Sequence, residues 1–395
     1  MSRSALAYDT TELKGLDYLS NPSGVIQEAQ ELASEAFGAD RSWFLVNGTT
    51  VGIHAAIMSV AKDEGDAIVV SRDCHQSAFS ALVLSGARPV WVKPEYDERF
   101  GFATLSTRNL RRVLADCDRP PAGVLVVSPN YFGLCANVAE AARACHDHGV
   151  PLLVDEAHGS HFAFHDDFPP TALSCGADIA IQSTHKTLSA MTQASLLHAQ
   201  GDRVSFDKIG ASLQMLQSSS PSYLLMSSID TARAQAVVAS DSGNPESSPS
   251  FAAAARNAAR IKRTIAKIPG VEVLGVGNTA EEVDPLRLTL TLSDLNRSGF
   301  AVASILEETY GIVPELATDK AVVFVATLGT TVSDLEDLAA ALREIAADTN
   351  GPVGTAPQQS ADAEASGLDT ALDCPQVGFD PRRQSIFSSA FRQFV

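Results

Sequence analysis

Between residues 44 and 200 the chain alternates short apolar runs with helical patterns, and that alternation limits the fold more than any other feature. The runs fall at 67–70, 89–92, 123–127, 150–154, 177–181 and 194–197, each the length of a buried strand and bounded by turn residues. Helical patterns such as 137–148 lie between them. Parallel neighbours need a crossover, and crossover helices cover both faces of a sheet, so the pattern predicts an α/β fold with a mainly parallel sheet. Upstream, Asn21-Pro22-Ser23 opens a helix with Val25, Ile26, Ala29, Leu32, Ala33, Ala36 and Phe37 on one face and Gly38 at its end. Residues 1–38 therefore read as an amino-terminal arm, and 39–250 as a large domain ending in helices at 203–217 and 223–239 and a run rich in Ser, Gly and Pro at 240–250. A smaller α+β domain follows at 251–347, with helices at 251–268, 298–310 and 332–347 and strands near 271–276, 286–292 and 322–327. From 348 the composition shifts to Gly, Ala, Pro, Gln and Ser without periodicity, which reads as a flexible linker at 348–377 and a short tail at 378–395.

With 395 residues, 45% of them hydrophobic, the chain can bury a sizeable core. Its net charge of −18 argues against nucleic acid or an anionic membrane as partner and suits a cationic small molecule. The six cysteines (Cys74, Cys117, Cys135, Cys145, Cys175, Cys374) form no C-x-x-C pair, so free thiols in a reducing compartment and no metal site are expected. No stretch approaches the ~20 apolar residues of a membrane span, and residues 1–11 lack an apolar signal core. The expected location is the cytoplasm.

Two motifs stand at predicted strand ends, where α/β enzymes place their chemistry: Val154-Asp155-Glu156-Ala157-His158-Gly159 and Ser183-Thr184-His185-Lys186-Thr187. A lysine delivered there can form a Schiff base with a carbonyl cofactor, and an aspartate can hold a pyridinium nitrogen protonated. The pair points to pyridoxal 5'-phosphate. An ionised Asp155 at the end of an apolar strand needs a cation, and the pyridinium supplies one. Ala157 is small enough to lie under a ring, and His158 is in reach of substrate or cofactor. Asp-Glu-Ala-His also matches a helicase motif, but no G-x-x-x-x-G-K-[ST] loop precedes it. Asn47-Gly48-Thr49-Thr50 offers hydroxyls and backbone N–H groups at a helix start, as a phosphate requires; taken alone it is also an ordinary cap. Ser183 and His185 add a hydroxyl and an imidazole. His75, just beyond the run at 67–70, can stack on the ring, although a lone loop histidine is commonly structural.

Together these residues resemble the Orn/Lys/Arg decarboxylase family of fold-type-I pyridoxal phosphate enzymes. The matching stretches are 11–17 (TELKGLD), 44–52 (FLVNGTTVG), 72–77 (RDCHQS), 128–133 (SPNYFG), 154–159 (VDEAHG), 183–186 (STHK) with 192–195 (TQAS), and 218–230 (SSSPSYLLMSSID). The resemblance implies a fold-type-I large domain that binds the cofactor and a smaller α+β domain. It further implies that Lys186 carries the cofactor, Asp155 pairs with its ring nitrogen, and His75 stacks on the ring. Gly48, Thr49, Thr50, Ser183 and His185 would then receive the phosphate, with Ala157 and His158 near the reacting centre. The implied reaction takes arginine, lysine or ornithine to its amine and carbon dioxide, as in polyamine biosynthesis, and the DEAHG form is closer to the shorter, arginine decarboxylase-like members. A homodimer or higher homo-oligomer is implied, with the 217–223 loop crossing its interface. Two family segments are not found, a Pro-Gly-His-Lys segment ahead of Thr11 and a Pro-Pro-Gly-Ile-Pro-like segment near the carboxyl terminus, and Asn130 stands where Thr is common. Two rival readings follow: an aminotransferase using Arg287 to hold an α-carboxylate, and a catalytically impaired member serving as a regulatory subunit.

Overall fold

The structure, a computed structural model, describes residues 9–348 apart from 12, 14, 242–248, 280 and 296. The expected linker beyond Asp348, the tail, Cys374, residues 1–8 of the arm and most of the 240–250 run lie outside the described residues.

The arm is organised by one carboxylate. Buried Asp17 accepts N–H groups from Tyr18, Ser23, Gly24, Ile26 and Gln27 at 2.8–3.2 Å, satisfying donors at the start of helix α1 (Val25–Phe37) that the helix itself leaves unpaired. The Tyr223 hydroxyl accepts the Asp17 N–H and donates to the Asp17 carbonyl. Helix α1 buries Ile26, Ala33 and Phe37.

Elements then alternate as the pattern predicts: β1 (Arg41–Leu45), α2 (Gly48–Val60), β2 (Ala67–Ser71), α3 (Gln76–Ser85), β3 (Arg88–Val92), a hairpin of β4 (Glu95–Asp97) and β5 (Phe102–Thr104), α4 (Thr107–Ala115), β6 (Gly123–Val127), α5 (Val138–His146), β7 (Leu152–Asp155), β8 (Ile179–Gln182), the single turn α6 (Thr184–Thr187) and β9 (Ser195–Ala199). Seven strands form one sheet in the order β1-β9-β8-β7-β6-β2-β3. Neighbours from β3 through β8 pair in parallel, and only β9 runs against the rest, antiparallel to both β8 and β1. Helix α2 lies close on this sheet because Gly52 has no side chain: a Cβ there would stand 2.7 Å from both Ile181 and Leu45.

Helices α7 (Phe206–Leu216), α8 (Tyr223–Asp241) and α9 (Phe251–Ile265) lead to a four-stranded antiparallel sheet of β10 (Glu272–Val273), β11 (Arg287–Thr291), β13 (Val322–Val325) and β12 (Leu316–Ala317), in that order, with α10 (Gly299–Tyr310) and α11 (Val332–Ala347). The strand expected at 271–276 is only two residues long, because Gly275 turns the chain at φ +85°. A single apolar cluster runs from Ile26 and Phe37 through Ile229 and Phe251 to Leu288, Val322 and Leu342. No described helix is long and apolar enough to cross a membrane.

Candidate active site

Strand β7 ends on Asp155, and its parallel neighbour β8 leads through Ser183 into the turn that carries Lys186. Both side chains thus emerge at one edge of the sheet, at carboxyl ends of adjacent strands. Lys186 Nζ lies 3.1 Å from His158 Nε2, and His158 Nδ1 lies 2.7 Å from an Nη of Arg287, which arrives from β11 of the second sheet. The Tyr131 ring packs 4.6 Å from the His158 ring, and Lys186 Nζ stands 5.5 Å from the centre of that phenol. Four side chains from four separate segments therefore meet at one point, with Asp155 within electrostatic reach of Lys186.

Burial sets the electrostatics. It pushes the Asp155 carboxyl up, with Lys186, the Ala157 N–H (3.2 Å) and His75 pulling the other way. Burial lowers the Lys186 amine below its ordinary value; Asp155 and Glu315 oppose that shift and Arg287 adds to it. His158 is driven well below the usual imidazole range by burial, then by Lys186, Arg287, His75 and His185. A buried carboxylate that accepts one backbone N–H, beside a lysine of lowered basicity, is a site prepared for a bound cation and a carbonyl.

The expected phosphate end is assembled nearby. Gly48 opens α2 at φ +69°, and Asn47 ahead of it makes no side-chain cap. Thr49 Oγ1 lies 3.4 Å from Ser183 Oγ, while Thr50, one residue further, is exposed. The Gly48 N–H donates to the carbonyl of Gln193, a non-glycine residue held at φ +81°; such left-handed backbone persists where the surroundings enforce it. His185 Nδ1 donates to the Ala194 carbonyl at 2.8 Å, which leaves Nε2 available. His75 caps α3, its Nδ1 accepting the Ser77 N–H, and it lies within electrostatic reach of Asp155 and His158. Ala157 is buried beside Asp155.

Tyr131, Glu315 and the Arg287–His158 contact were not assigned from sequence. Tyr131 could have been found, since it follows β6 and so stands at a strand end. Gly133, in the same stretch, sits at φ +85° with Arg287 packed against it: a Cβ there would meet Arg287 Cβ at 2.5 Å. Behind Arg287, Asp284 Oδ1 is held by His161 Nε2 (3.0 Å) and the Leu286 N–H (2.8 Å), and Lys262 donates to the Asp284 carbonyl. No sequence spacing announces that support. As a donor set, the hydroxyls at a helix start, a buried carboxylate, a half-buried imidazole and a lysine of lowered basicity fit pyridoxal 5'-phosphate.

Comparison with known proteins agrees with this geometry. The model of the Orn/Lys/Arg decarboxylase major domain matches residues 2–334, and the chain belongs to that family. It is 41% identical over 327 residues to the uncharacterized protein YaaO of Bacillus subtilis, covering 82% of this chain and 66% of that protein. It is 35% identical over 353 residues to an arginine decarboxylase of Bacillus cereus, covering 88% and 75%. The fold is that of the constitutive lysine decarboxylase of E. coli, with a TM-score of 0.73 at 20% identity; the match takes in 87% of this chain and 54% of that one. The chain thus spans about half the length of the solved lysine decarboxylase and about two thirds to three quarters of these two relatives.

Proposed function

We propose that this chain decarboxylates a basic amino acid to its amine and carbon dioxide with pyridoxal 5'-phosphate, in the cytoplasm and in the service of polyamine metabolism. The observation that carries the reading is the convergence of Lys186 and Asp155 from adjacent strand ends on one buried point. Arginine is the first candidate substrate, since relatives 35–36% identical over 88% of the chain are named arginine decarboxylase; lysine and ornithine are the others. The large domain at 39–250 would hold the cofactor and the unit at 251–347 would close the site.

Lys186 would hold the cofactor through Nζ, Asp155 would face its ring nitrogen, and His75 and Ala157 would lie against its ring. Gly48, Thr49, Thr50, Ser183 and His185 would receive its phosphate. When bound, the cofactor supplies the sink for the electron pair left at Cα as carbon dioxide departs. The chain's own part is to orient and to exclude water. Buried Asp155, His158 and Ala157 keep the reacting carboxylate from solvent. Lys186 Nζ and His158 Nε2, 3.1 Å apart, are within hydrogen-bond reach, so the imidazole orients the amine. The exposed Glu315 acts on Lys186, Arg287 and Tyr131 alike, which suits it to meet the distal cation of the substrate. Glu315→Gln should raise KM for arginine about tenfold, the loss of one partly solvated charge contact, with kcat little changed.

The deciding experiment is carbon dioxide release from arginine, lysine and ornithine offered separately, with Lys186→Ala as control. Release from one substrate, absent in the variant, supports the reading. Cofactor binding without release moves the weight to an impaired, regulatory member. The aminotransferase rival draws on one observation: Arg287 Nε and Nη1 are buried with no acceptor among the described residues, as a group awaiting a retained carboxylate would be. Formation of a keto acid, lost in Arg287→Ala, would favour that rival.

A further inference from the structure

We infer that Arg287 sets the protonation state of Lys186 through His158: the guanidinium fixes the imidazole as its Nε2–H tautomer, which can only offer Lys186 a proton and therefore holds that amine as a free base. The inference rests on the reading of Lys186 as the reactive amine and assigns a positioning role which that reading lacks.

A guanidinium has donors only, so at 2.7 Å from an Arg287 Nη, His158 Nδ1 must accept and carries no proton. A neutral imidazole with a bare Nδ1 carries its proton on Nε2. An imidazolium would set two N–H groups against each other in a buried place. Nε2–H then points at Lys186 Nζ, 3.1 Å away, and an ammonium has no lone pair with which to accept it. Only the free amine completes the chain Arg287 to His158 to Lys186.

The root of the Arg287 side chain is held in place. Its Cβ is packed on Gly133, its N–H donates to the Asp284 carbonyl at 3.1 Å, and Asp284 is itself fastened by His161, Leu286 and Lys262. The charged groups facing Lys186 divide: Asp155 and Glu315 favour the ammonium, whereas burial and Arg287 oppose it. Around His158, burial, Lys186, Arg287, His75 and His185 all oppose a second proton. Tyr131 lies against both groups. A lysine held this way can attack a carbonyl at neutral pH without first losing a proton to solvent.

The test uses the full-length, cofactor-free protein. Histidine labelled with nitrogen-15 reports its tautomer in long-range proton–nitrogen spectra, and His158→Phe identifies the His158 signals by their loss. The expected result is a protonated Nε2 and a bare Nδ1 at pH 7; the opposite tautomer or an imidazolium overturns the inference. The basicity of Lys186 is then followed by competitive acetylation, read by mass spectrometry across pH. Arg287→Met should raise the Lys186 midpoint by about one pH unit, roughly a tenfold loss of free amine at pH 7, and this shift should be clearly smaller when His158→Phe is already present, leaving only the direct effect of the Arg287 charge. An equal shift in both backgrounds would mean that Arg287 acts by charge alone and would sink the proposal. Should Arg287→Met fail to fold, the spectra of the unaltered protein decide. Neither measurement involves cofactor or turnover, so the decarboxylase reading and this one stand or fall separately.

Discussion

Adjacent carboxyls at the end of β7 carry opposite duties. Asp155 stands with Lys186, whereas the Glu156 oxygens accept the Ala172 N–H and the Gln182 amide at 2.8 Å. Burial pushes Glu156 up to about 8, so the folded protein keeps a proton there at pH 7. The unfolded chain loses that proton near 4.5, and stability from this group is full below that value and falls as pH rises toward about 8. Glu156→Gln removes the slope. Urea unfolding should find the variant and the parent alike at pH 4.5 and the variant more stable at pH 8, at up to about 1.4 kcal/mol per pH unit crossed. Gln182 Oε1 has no partner among the described residues, so its amide can turn over to serve the new side chain. Asp155→Asn tests the neighbouring duty. Burial also raises Asp155, so the cofactor-free variant should melt above its parent at pH 8 while gripping the cofactor less tightly and turning over about 10²- to 10³-fold more slowly. Melting curves and an absorbance titration check both halves; a variant that is less stable without cofactor would contradict the account.

Among the elements, what could be read in advance was what is local. The runs that became β2, β6 and β7 are apolar throughout, and that of β8 nearly so, because both faces are buried, and the residues beyond their ends were therefore candidates from the sequence alone. What escaped was remote or small. Arg287 meets His158 across 129 residues of chain, and no periodicity encodes that approach. The strands of the β4–β5 hairpin are three residues long, too short for alternation to register. The stretch TELKGLD was legible as a match but not as physics. Its physics is Asp17, whose carboxyl burial would raise but the N–H groups of Ser23, Gly24, Tyr18 and Gln27 hold low. A lowered carboxyl contributes stability above its ordinary value of 3.8 and loses it as pH falls. Asp17→Ala should therefore cost about 2 kcal/mol or more at pH 7, since it removes a charged cap serving several donors, and much less at pH 3. Chemical unfolding at the two pH values measures the difference.

At the scale of the whole molecule, the exposed face of α3 is a feature that a lone chain does not explain. Phe79, Val83 and Leu84 are 50%, 81% and 54% exposed, and the first two are one helical turn apart, so they form a joint apolar surface. The homodimer or higher homo-oligomer that the family resemblance implies would give this face an occupant, a second copy of the chain. Because His75 caps α3 through the Ser77 N–H and also bonds the Ser77 hydroxyl at 2.8 Å, anything that seats or unseats the helix shifts an imidazole of the candidate site. Assembly and cofactor retention should then move together. Val83→Glu sets a carboxylate into the patch of a chain already carrying a net charge of −18. Sedimentation is expected to show a dimer for the parent and a monomer for the variant, and the monomer should bind cofactor about tenfold more weakly, a loss of roughly 1.4 kcal/mol. Val313→Glu, at a valine 71% exposed between α10 and β12, adds the same charge away from that helix and should leave the dimer intact. If Val83→Glu sediments as Val313→Glu does, the second copy does not sit on α3, and the coupling of His75 to assembly goes with it.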